Sequence, residues 1–146
     1  LRSAVFSVLS LCACAQAQAA NDFAGLYRMD CSTIQSEPSA VERLKAECAR
    51  RQGAPTLRIE PDEAPGTWTV TELDGLALGD SGTRSSKWQQ STVDGMACVS
   101  APFVAICKVP INKAVFRQLA GEDVRSQTGL LLVGQGLMAD VIKVNK

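Results

Sequence analysis

Four cysteines, Cys31, Cys48, Cys98 and Cys107, follow an N-terminal stretch that reads as an export leader, and this constrains the fold more than any other feature of the chain. In residues 1–19, LRSAVFSVLSLCACAQAQA, Arg2 is the lone charge and Ala4 to Cys14 is apolar. Ala17-Gln18-Ala19 then has the small-x-small form of a cleavage site. The expectation is a leader over 1–19 and a single domain over 20–146, exported to the periplasm or secreted. In an oxidising compartment four cysteines read as two disulfides. Three pairings are open. Cys31–Cys48 and Cys98–Cys107 are favoured, because each joins neighbouring elements, and each would contribute roughly 3 kcal/mol in the chain-entropy account. A zinc site built from the same thiolates would need closely spaced Cys pairs, which this spacing lacks, so neither a metal nor another cofactor is expected.

Alternation of apolar and polar residues supplies most of the remaining architecture. From Asp22 to Cys31, one face carries Phe23, Gly25, Tyr27, Met29 and Cys31, as in a half-buried strand. Ser39-Ala40-Val41-Glu42 fits a capping box that opens a helix ending near Gly53. Val41, Leu44 and Cys48 form its stripe and turn Cys48 toward the first strand. Thr56–Pro61 and Thr67–Leu73 read as a hairpin with one wet face. Gly75 to Gln90 reads as a long loop or loosely paired ribbon. Met96 to Ile111 reads as a hairpin turning near Ala101 to Val104, with Cys98 and Cys107 facing each other. Phe103 and Ala105 on one side, and Val104 and Ile106 on the other, suggest burial on both faces. A short helix is expected over Lys113 to Ala120, and a last hairpin over Thr128–Val133 and Leu137–Val144. The sum is an α+β domain with a mainly antiparallel sheet of six or seven strands, one clear helix, one short helix and two disulfides. The pattern leaves open whether the sheet forms a barrel or a sandwich.

The chain contains no histidine, which excludes Ser-His-Asp, Cys-His and His-ligated metal chemistry. Leu78-Gly79-Asp80-Ser81-Gly82 resembles the nucleophile segment of trypsin-like proteases and the first block of the GDSL hydrolases. Both families need a histidine to take the serine proton. A Ser81–Lys87 dyad escapes that objection, but a turn built from Gly, Asp and Ser explains the segment as well. Leu11-Cys12-Ala13-Cys14 resembles a bacterial lipoprotein box, and would make Cys14 a lipid anchor. The apolar run itself is too short for a comfortable transmembrane helix. Ser81-Gly82 followed by Trp88 resembles the inserted loop of periplasmic lysozyme inhibitors, but Ser85 stands where those loops carry an aromatic residue.

Charge placement says more than any motif. Lys+Arg and Asp+Glu both number 15, which disfavours a nucleic-acid binder. From Glu60 to Asp80 there are six acids (Glu60, Asp62, Glu63, Glu72, Asp74 and Asp80) and no base. From Ser81 to the end, eight basic residues stand against four acidic ones. The run reads either as a solvated hairpin, the plainer reading, or as an acidic surface that would steer a basic protein partner. The candidate binding residues are Asp62, Glu63, Asp74, Asp80 and Trp88. Trp88 is either an exposed anchor or the core residue of a strand. The expected function is a small exported non-catalytic binding protein, of the inhibitor or immunity type, acting on another protein. The alternatives are a structural envelope lipoprotein anchored through Cys14, and a hydrolase using Ser81.

Overall fold

In a computed structural model of the chain, residues 22–51, 54–73, 84–117, 123–134 and 136–144 are described. Eight antiparallel strands close into a barrel. They are β1 (Gly25–Met29), β2 (Leu57–Pro61), β3 (Thr67–Glu72), β4 (Arg84–Val93), β5 (Met96–Ala101), β6 (Val104–Lys108), β9 (Leu130–Gly134) and β10 (Leu137–Val144). Each pairs with its neighbour along the chain, and β10 returns to β1 with Met29 opposite Val141. The meander is broken once, between β6 and β9, where β7 (Ala114–Val115) and β8 (Val124–Arg125) form a separate two-stranded ribbon. Closure leaves no strand edge among the eight and answers the question the pattern left open.

Inward side chains fill the barrel, as an eight-stranded interior permits. Tyr27, Ile59, Trp68, Val70, Trp88, Val99, Ile106, Leu132 and Val141 belong to one buried cluster. Trp68 and Trp88 stand directly opposite each other on β3 and β4 and supply much of its bulk. At one end, Phe23 meets Trp68 edge-on, with ring centroids 6.3 Å apart, and the Tyr27 hydroxyl donates to the Phe23 carbonyl at 2.8 Å. At the other end, a 3-10 turn (Cys31–Thr33) and helix α1 (Pro38–Arg50) pack Ile34, Leu44 and Cys48 against the same cluster.

Both disulfides form with the expected pairing. Cys31–Cys48 ties the 3-10 turn to α1, and Cys98–Cys107 joins directly opposed residues of β5 and β6. The second bridge lies on the outside of the barrel. There the ribbon lays Val109, Val115, Phe116 and Val124 over Cys98, Ala105, Cys107 and Leu131, making a second buried cluster. The Asp140 side chain holds the ribbon down. It accepts from the Ser126 hydroxyl at 2.5 Å and from the Gln127 N–H at 2.8 Å, while Ser126 Oγ accepts from the Gly129 N–H at 2.9 Å.

Several expectations are corrected. The barrel has eight strands rather than six or seven. Of the stretch read as a long loop or loosely paired ribbon, residues 75–83 lie outside the described residues, while 84–90 are the first part of the ten-residue β4, laddered with β3. Its polar composition hid it, because only Trp88 is buried along its length. The helix starts at Pro38 with Glu37 before it and no side-chain cap, so Ser39 does not cap it. Proline suits the first helical position, since its missing N–H would be unpaired there anyway. The short helix expected from Lys113 does not begin there. Ala114 and Val115 are strand, Phe116 takes a left-handed φ of 54°, and Arg117 is helical, beyond which 118–122 lie outside the described residues.

Candidate functional site

Of the acidic candidates, only Asp62 and Glu63 fall among the described residues. Asp62 and Glu63 sit in the turn joining β2 to β3, where Asp62 Oδ1 accepts from the Glu63 N–H at 2.8 Å. β3 runs from that turn to Glu72, which pairs with Arg84 at the start of β4. Asp74 and Asp80, with Ser81, lie in the segment between those two residues, outside the described residues. Among the described acids, Glu72 is a strand's length from Asp62 and Glu63 and does not share a surface with them. Glu72 is itself buried.

The acidic turn is also partly neutralised. Lys87, on the outer face of β4, forms an ion pair with Asp62 and donates to Thr69 Oγ1 at 2.8 Å. Its hydrogen bond holds the Asp62 carboxyl below the usual carboxylate range, and the Glu63 N–H adds to this. Counting charges along the chain misses this pair, because the cation arrives from the neighbouring strand. Trp88 is the core residue of the two readings: it is 2% exposed, and its indole N–H donates to Ser86 Oγ at 2.9 Å. It is therefore removed from the surface candidates.

The residue the sequence reading missed is Phe103. It was expected to be buried, yet it is 81% exposed, far above any other large apolar side chain except Ile111 among the described residues. The register explains why. Cys98 opposite Cys107 and Ala101 opposite Val104 leave only Pro102 and Phe103 to make the turn. Proline fits the first of these positions, and the second then takes a positive φ, observed at 69°. A bulky residue in that region is a real outlier and costs about 1–2 kcal/mol. The neighbouring strand end accommodates the turn by being Gly134. A Cβ there would stand 2.6 Å from the Phe103 carbonyl oxygen. The signal was present in the sequence: two cysteines nine residues apart, once paired across a hairpin, place its turn at Pro102-Phe103.

Among the described residues no group of three or more Cys, Asp or Glu side chains is placed to hold a metal, and no helix is long and apolar enough to cross a membrane. No protein family matches this chain, and no curated protein or solved structure matches it.

Proposed function

We propose that this chain is an exported, non-catalytic binding protein that acts on another protein, in the manner of an inhibitor or immunity protein. On this reading it engages through the barrel end that carries Phe103. The observation behind the reading is the Phe103 turn. An aromatic ring, 81% exposed, is held out into solvent by a backbone conformation that glycine would adopt more easily, so its burial offsets little of that strain. Strained residues cluster at binding sites, and aromatic side chains dominate binding hot spots. A closed barrel filled with side chains supplies a rigid platform for such a turn, and two disulfides suit an oxidising compartment.

The test places a photoreactive benzoylphenylalanine at 103, or at the exposed Gln89 as a control, and irradiates the protein in an extract from its native compartment. The expected result is one discrete crosslinked species from position 103 and none from 89. Excess wild-type protein should suppress it and excess Phe103→Ala should not. Equal crosslinking at both positions, or equal suppression by the two competitors, would overturn the reading.

A further inference from the structure

Helix α1 belongs to the barrel end that carries Phe103. Gln35, just before it, is bridged to Met138 near the start of β10, and Gly134, which pairs with Leu137 there, faces the Phe103 carbonyl. The core at this end includes Met29, where β1 stops, and Leu57, where β2 starts, with Leu137 packed against it. α1 adds little of its own to that core. Cys48 is its one buried residue, and Leu44 is half-buried. Its contacts run chiefly to the 3-10 turn (Cys31–Thr33). Among the described residues no side chain of Pro38–Arg50 hydrogen-bonds or ion-pairs with the barrel, and Glu47 pairs with Arg51 at the helix's own end. A helix of 13 residues with no side-chain cap is marginal by itself. The Cys31–Cys48 disulfide, which joins the turn to the helix, is what holds it down.

We infer that α1 is a lid on this end of the barrel, released when a dithiol reduces Cys31–Cys48. One thiolate of the dithiol attacks Cys31 Sγ, and Cys48 leaves as a thiolate that takes up a proton. The second thiol then displaces Cys31 from the mixed disulfide. The protein disulfide gains a pair of electrons and a pair of protons, the dithiol ends as a disulfide, and reoxidation by a disulfide restores the bridge. Access decides which bridge responds, because the attacking thiolate must reach a sulfur. Cys31 is half-buried, whereas Cys98 and Cys107 are both 0% exposed, beneath the ribbon. Once its bridge is cut, α1 keeps only the packing around Cys48 and Leu44, and its departure uncovers the apolar core beside Phe103. The barrel is closed by its own ladders and does not need α1 to stay closed. The inference concerns how this end is uncovered, and it stands whether or not a protein docks at Phe103.

Graded reduction of the oxidised protein with dithiothreitol tests it, with alkylation, peptide mapping and amide hydrogen exchange read on the same samples. Cys31 and Cys48 should be alkylated while Cys98–Cys107 stays intact. In that partly reduced state, exchange in α1 should quicken about tenfold to a hundredfold, the scale of restraint that the chain-entropy account assigns to a loop of this length. β3 and β4 should keep their protection. A dye that reports exposed apolar surface should bind more, and oxidised dithiothreitol should reverse every change. The double variant Cys31→Ser with Cys48→Ser should show the same pattern without reductant. Reduction of Cys98–Cys107 first, or of both bridges together, would overturn the inference. So would unchanged exchange in α1 after its bridge is cut. Quickening of the whole barrel with α1, or a double variant that fails to fold, would make the bridge a staple of the entire fold and overturn it equally.

Discussion

The wall formed by β2, β3 and β4 and the wall formed by β5, β6 and β9 share one interior and one type of ladder, yet their outer faces are built from opposite chemistry. On the first wall, Thr67, Thr69 and Thr71 stand opposite Gln89, Lys87 and Ser85, and all three pairs are hydrogen-bonded in water. On the second, Cys98, Ala105, Cys107 and Leu131 are buried under the ribbon. The first wall needs nothing beyond its strands. The second would expose a continuous apolar face without its cover, and so depends on a polar anchor, Asp140, to keep that cover in place. A sheet face is thus stabilised either by water or by another element. The second solution ties part of the fold's stability to a few buried hydrogen bonds.

The largest effect should come from removing that anchor. Asp140→Ala leaves the Ser126 hydroxyl and the Gln127 N–H without their buried acceptor, each at about 1–3 kcal/mol. A total loss of about 3 kcal/mol is expected in urea denaturation. Hydrogen exchange should quicken first in Val109–Val115 and Val124–Ser126, and later, if at all, in β3 and β4. Uniform quickening of both walls would show that the ribbon is not a separate cover but part of one cooperative unit.

Tyr27 belongs to the interior that both walls share, so its effect should be global. Burial, and to a smaller extent the charge of Asp22, push its hydroxyl up to about 12 from an ordinary value near 10. The folded state therefore holds the proton more tightly than the unfolded one. The corresponding stability is complete below about pH 10 and is lost as pH rises toward 12, amounting to about 2–3 kcal/mol. Tyr27→Phe should remove this alkaline dependence. If the variant and the wild type lose stability in parallel between pH 10 and 12, another group is responsible.

Phe103 caps a hairpin of the covered wall, and there the expected change is a gain. Phe103→Gly relieves the left-handed strain and should raise stability by about 0.5–1 kcal/mol, after allowing for the extra chain entropy of glycine. Phe103→Ala keeps the strain and should not. Equal stability of the two variants would mean that the turn is unstrained, and the case for a displayed anchor would lose its physical basis.

The difference between the walls also explains what the sequence disclosed. Alternation in Thr67 to Glu72 and unbroken apolarity in Val104 to Cys107 are direct consequences of one-sided and two-sided burial, so both were legible. The disulfide pairing followed from the placement of neighbouring elements. What covers the second wall was not legible, because Val109, Val115, Phe116 and Val124 are spread over a segment with no period of 2 or 3.6. β4 was hidden for the reverse reason: in a strand with a wet outer face and a single inward Trp, polarity resembles loop. The acidic site was read from linear charge, and Lys87 reached Asp62 through a strand pairing that the linear count does not contain. Phe103 was misassigned because strand alternation was carried through a two-residue turn, where it no longer holds.

The smallest effect belongs to the wet wall, where ion pairs are exposed and screened. Lys87→Ala should let the Asp62 carboxyl rise toward its ordinary range, because the Lys87 hydrogen bond is the main cause of its depression. The sign for stability follows. A carboxyl with a depressed folded value contributes above the ordinary carboxylate range and loses that contribution as pH falls through the depressed value. The variant should therefore show a weaker acid dependence than the wild type, with little change at neutral pH. Carboxyl-carbon NMR titration of Asp62 reads this directly. An unchanged Asp62 would assign the depression to the Glu63 N–H instead. The substitution also separates the two uses of this turn. Removing Lys87 makes the Asp62-Glu63 turn more acidic without touching either acid, so a basic partner steered by it should associate faster at low salt. A partner that docks only at Phe103, on the far end of the barrel, should not respond.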